Sequence, residues 1–96
     1  MTDAEFAKIK ARFPGLRWKR EPSVDGMTAV AVVGIWAVAV RPLGAEWWWS
    51  IHVRGGRAVM EPEAAATLGR CLRSLECAIV REAKALAGLI GQRCVL

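Results

Sequence analysis

Between Met27 and Val40 the chain reads MTAVAVVGIWAVAV, fourteen residues without a charge. β-Branched residues at this density favour a strand, and the run is shorter than the roughly 18 to 20 apolar residues of a membrane-spanning helix. Read with a period of two, the even positions Val30, Val32, Trp36, Val38 and Val40 are mostly large. The odd positions Ala29, Ala31, Ala37 and Ala39 are small, with Val33 and Ile35 as the larger exceptions. The pattern predicts one long central strand with a large face and a small face, bent or bulged at Gly34. A tight hairpin at Gly34 is the alternative, although a glycine without Asn or Asp is a weak turn signal.

The flanks supply two helices and further strands. Thr2 followed by Glu5 is a capping-box pattern, Phe6, Ile9 and Phe13 recur at helical spacing, and Pro14-Gly15 ends the helix. Leu16 to Glu21 alternates, with Leu16 and Trp18 inward and Arg17 and Lys19 outward. Pro22 to Gly26 and Arg41-Pro42-Leu43-Gly44 carry turn chemistry. Glu46 to Arg54 is a strand with apolar Trp47, Trp49, Ile51 and Val53 on one side. Polar Glu46, Ser50, His52 and Arg54 occupy the other, with Trp48 as the exception among them. Gly55-Gly56 closes a hairpin onto Arg57 to Met60, pairing Val53 with Ala58 and placing Arg54 and Arg57 on one face. Pro62-Glu63 opens a helix expected to reach about Ala87. Its apolar stripe is Leu68, Leu72, Leu75, Ile79, Ala83 and Leu86; Arg70, Arg73, Arg81 and Lys84 lie roughly opposite, with Glu76 and Glu82 interspersed.

These elements predict a single α+β domain over residues 1–96, in the order α-β-β-β-β-α. An antiparallel sheet of three to four strands would carry the N-terminal helix and the long C-terminal helix on one face, since two apolar helical stripes need a common surface. The small face is then open. It would present the alanines at its centre, Arg17 and Lys19 to one side, and Trp48, His52, Arg54 and Arg57 to the other.

Reactive chemistry is sparse. His52 is the sole histidine, no tyrosine is present, and the acids sit at helix starts, turns and among helical charges, so no Ser/His/Asp set can be built. Cys71, Cys77 and Cys94 lack zinc-ligand spacing and read as structural thiols, and Gly55-Gly56 lacks the flanks of a phosphate loop. The expectation is a non-enzyme without metal or cofactor. The odd cysteine count, and an N-terminus MTDAEFAKIK charged where a signal peptide has its apolar core, predict a cytoplasmic protein with no membrane partner.

An outward tryptophan commonly marks an interface, and the net charge of +5 permits an anionic partner without requiring one. The candidate partner-binding residues are therefore Trp48, His52, Arg54, Arg57, Arg17 and Lys19. The expected partner is a protein or nucleoprotein complex. Nucleic acid on the same basic face is the alternative, and a homodimer through the alanine face is a further expectation.

The helix-sheet-helix order resembles a double-stranded RNA-binding domain. That family sets a lysine cluster at the start of its last helix, whereas this chain has Glu61, Pro62, Glu63 and three alanines there. In size, architecture and lack of catalytic residues, with the PEAAATLGRCL helix from Pro62 to Leu72, the chain also resembles small proteins of phages and mobile elements, including anti-CRISPR inhibitors. That resemblance implies an inhibitor occluding a host nucleoprotein complex, and assigns a role to no single residue.

Overall fold

The computed structural model describes residues 1–23, 26–53, 58–60 and 64–82. Helix α1 spans Asp3–Arg12 and opens on the expected box: the Glu5 amide donates to Thr2 Oγ1 at 3.1 Å, and the Thr2 amide donates to Glu5 Oε1 at 2.7 Å. Asp3 and Glu5 sit in the first turn and Lys10 and Arg12 in the last, matching the sign of the helix dipole at each end. The Phe13 amide closes the last turn on Ile9 O at 3.2 Å, and Pro14 follows, which cannot extend the ladder. Thr2→Ala is expected to cost about 1 kcal/mol, and Thr2→Ser to restore most of it, both read from chemical denaturation midpoints.

Five strands follow: β1 Trp18–Ser23, β2 Gly26–Val33, β3 Trp36–Leu43, β4 Glu46–Val53 and β5 Ala58–Met60. They form one antiparallel meander in the order β1-β2-β3-β4-β5. The expected α+β architecture is present, and the long apolar run is two of its strands. Gly34 takes φ +59° and Val33 pairs with Trp36, so the chain reverses over Gly34-Ile35. The same device recurs ten residues on, where Gly44 takes φ +63° and Leu43 pairs with Glu46. In both turns glycine holds the first central position, where a type II′ hairpin requires it. Arg41, Pro42 and Leu43, read from sequence as a turn, are thus the end of β3.

The reversal at Gly34 changes which residues face inward. A two-residue turn puts the flanking pair Val33 and Trp36 on one face, so β2 turns its odd positions inward and β3 its even ones. Ala29 and Ala31, expected on the open face, are buried in the core; Val30 and Val32 take the open side. Ala37 and Ala39 stay on the open face as expected.

Across the inner face, Trp18, Ala31, Val38, Ile51 and Met60 form one transverse row, and Ala29, Val40 and Trp49 the next. Ile9 of α1 and Phe13 at its C-cap cover this face together with Leu68, Cys71, Leu72, Leu75, Ala78 and Ile79 of α2, Leu68–Glu82. The indole nitrogens inside are satisfied: Trp18 Nε1 donates to Phe13 O at 3.2 Å and Trp49 Nε1 to Ser74 Oγ at 3.1 Å.

Helix α2 begins later than Pro62. Ala65 forms an antiparallel bridge with Trp47 through two backbone hydrogen bonds of 2.8 Å, which holds this segment extended. Thr67 then caps the helix, its Oγ1 accepting from the Arg70 amide at 3.2 Å. Two sheet-type hydrogen bonds and a threonine cap prevail over an alanine-rich sequence that propensity alone would make helical. Residues 61–63 and 83–96, including the expected opening at Pro62-Glu63 and the end near Ala87, lie outside the described residues. Glu76, placed by spacing among the solvent-facing charges, is 2% exposed and packs against α1.

A candidate docking face on the open side of the sheet

The helices leave one side of the sheet uncovered by any described element. Pairing fixes what it carries: Lys19, Val30, Ala39 and Ser50 form one transverse row, Val32, Ala37 and His52 a second, Arg41 and Trp48 a third. Strands spaced about 4.8 Å apart put Lys19 and Ser50 about 14 Å from each other across the middle row. Val30, Val32 and Ala39 make an apolar centre around Ala37, which is itself only 8% exposed. Val32 is 41% exposed, and at the β2–β3 turn Ile35 is 60% exposed. Alanines on β3 lie low between taller neighbours, so the centre is shallow.

Trp48 is half-buried and faces away from the core side of its strand, as expected. What covers part of it is Arg41, whose guanidinium carbon lies 5.2 Å from the ring centroid. A guanidinium over an indole face is attracted by the ring's quadrupole, so Arg41 and Trp48 form one combined surface with apolar and cationic parts. Arg41 was missed in the sequence because the turn was placed one residue pair too early. The usable signal was the Gly34 and Gly44 spacing, which sets β3 at eight residues and carries Arg41 onto the open side.

Of the remaining expected site residues, His52 is half-buried on the open face beside Ala37, and Lys19 is exposed on the same face at the β1 edge. Arg17 is exposed immediately before β1. Trp48, His52 and Lys19 are thus brought to one surface with Arg17 beside it. Arg54 and Arg57 lie outside the described residues. The expected hairpin register is kept where Ile51 pairs with Met60 and slips by one residue at the next position, where His52 faces Ala58.

The sheet edges are poorly suited to adding a strand. β5 has three residues, and β1 carries Lys19, Arg20 and Pro22, which oppose edge-to-edge pairing through charge and a missing amide hydrogen. Contact through the face is favoured over contact through an edge.

No cysteine lies on this surface among the described residues. Cys71 is a thiol buried in the core, and burial pushes its pKa up to about 12, so it stays protonated at neutral pH. Cys77 is disulfide-bonded, which corrects the expectation of a thiol there. Among the described residues no group of three or more His, Cys, Asp and Glu side chains could hold a metal ion, and no helix is long and apolar enough to cross a membrane. The sequence matches no protein-family model, and neither the curated proteins nor the solved structures supply a similar one. The functional reading rests on the geometry of the face.

Proposed function

We propose that this chain is a non-enzymatic protein-binding module that docks through its open sheet face. The observation that carries the reading is the apolar centre of Val30, Val32 and Ala39 around Ala37, bordered by the Arg41–Trp48 stack and by Lys19. Such a surface fits a protein patch with an apolar middle and carboxylates at its margin, because Arg41 and Lys19 flank the centre and an indole supplies a rigid anchor. An inhibitor that acts by covering a partner's working surface suits this arrangement: occlusion needs area and complementarity, and no reacting group. Occlusion of a host nucleoprotein complex is the form of that reading we favour.

Base stacking on Trp48 is less favoured, because one face of the ring is already taken by Arg41. The exposed cations of α2, Arg70, Arg73 and Arg81, lie in the helical layer on the other side of the sheet, so the basic charge is split between two surfaces.

The test is affinity capture from host lysate with and without nuclease, followed by titration of the captured protein with Val32→Glu and Trp48→Ala. Both positions are at least partly exposed, so both variants are expected to fold. Trp48→Ala should weaken binding by about 2 kcal/mol, and Val32→Glu should abolish it. Unchanged affinity in both variants would eliminate the face as the docking site. Capture that disappears with nuclease and falls by orders of magnitude between low and moderate salt would favour nucleic acid instead.

A further inference from the structure

On the other side of the molecule, away from the docking face, Lys8, Ala11 and Arg12 of α1 and Gly69 and Leu72 of α2 line a groove of about 360 Å³. Its size falls within the range of small-ligand sites, about 300 to 1,000 Å³. Ala11, Gly69 and Leu72 give it an apolar floor, while Lys8 and Arg12 give it two cations with no acid among the lining residues.

One feature of the groove and one beside it lack an explanation in packing. Gly69 lies in the first turn of α2 at an ordinary helical conformation, and a Cβ built there meets nothing within 4 Å. Neither crowding nor backbone strain calls for glycine there. Glycine leaves this part of the groove wall without a side chain. Glu76, one turn beyond Leu72, is the second feature. Its Oε1 accepts from Arg12 Nη2 at 3.3 Å, and its Oε2 is buried without a hydrogen-bond partner. A half-satisfied buried carboxylate is a poor stabiliser compared with an apolar side chain of similar volume. It does fix Arg12, whose guanidinium has further N–H donors, at the wall of the groove.

We propose that this groove binds a small monocarboxylate with an aliphatic body. The carboxylate is held by Lys8 and Arg12, and the chain lies over Ala11, Gly69 and Leu72. Glu76 is a positioning residue that holds Arg12 in place. The proposal does not depend on the docking face, and its failure would leave that reading untouched.

The probe is octanoate, titrated into the isotope-labelled protein and followed by amide chemical shifts, with octan-1-ol as the uncharged control. Saturable shifts are expected at Ala11, Gly69 and Leu72, with octan-1-ol binding at least tenfold more weakly. Lys8→Glu should weaken octanoate at least tenfold. Gly69→Leu should abolish binding by filling the groove, while its melting temperature stays at or above that of the parent, which separates blockage from unfolding. Glu76→Gln should weaken octanoate several-fold and leave octan-1-ol unchanged, a difference that loss of packing alone would not produce. Absence of saturable shifts at millimolar octanoate, equal binding of octan-1-ol, or undiminished binding by Gly69→Leu would each overturn the proposal.

Discussion

Trp49→Ala is expected to remove about 3 to 5 kcal/mol of stability, a large part of the 5 to 15 kcal/mol that holds a domain of this size together. Trp49 is 4% exposed, shares a transverse row with Ala29 and Val40, and reaches α2 through its bond to Ser74. The truncation would open a cavity beneath the helices and remove a bond that joins sheet to helix. Trp49→Phe keeps most of the apolar burial and leaves an exposed serine hydroxyl to water, so about 1 kcal/mol is expected there. Denaturant midpoints at constant slope are the measurement. The neighbouring Trp48→Ala should lose much less, and an equal loss would mean that the open face is covered in solution.

A loss of about 2 to 5 kcal/mol is likewise expected for Leu75→Ala. Leu75 is fully buried at the centre of the α2 stripe, with Leu72 and Ile79 on either side of it in sequence and Cys71 and Ala78 also buried. Arg73→Ala, on the exposed side of the same helix, is the control and should stay within about 0.5 kcal/mol of the parent. A denaturation midpoint for Leu75→Ala equal to that of Arg73→Ala would contradict the helix orientation.

Signals internal to one element were legible in the sequence. The Thr2–Glu5 box, the Leu68, Leu72, Leu75 and Ile79 stripe, and the inward Trp47, Trp49 and Ile51 were all readable, because each depends on a local period or a contact three residues away. The errors arose where one residue decided the geometry of many. Gly34 makes a turn without the Asn or Asp that usually signals one, and by reversing the chain it exchanged the burial of Ala29 and Ala31 with that of Val30 and Val32. The α2 start was illegible for a different reason: the bridge from Ala65 to Trp47 spans eighteen positions, and no local propensity reports it. Glu76 escaped in the same way, since its partner Arg12 lies on the other helix. Of the candidate site, Trp48 followed from alternation alone. Its stacking partner Arg41 required the correct placement of a turn.

The meander order has a consequence for how quickly the chain reaches this structure. Every strand pairs only with its neighbours in sequence, so the sheet can assemble hairpin by hairpin through short loop closures. Among the described residues, the contacts that join distant parts of the chain include Arg12 with Glu76 and the docking of α2 against β4. A nucleus confined to β2, β3 and β4 would therefore form early, with the glycine turns at Gly34 and Gly44 setting its register. Closure of α1 against α2 then becomes a late event, and the two helices would part first when the protein opens.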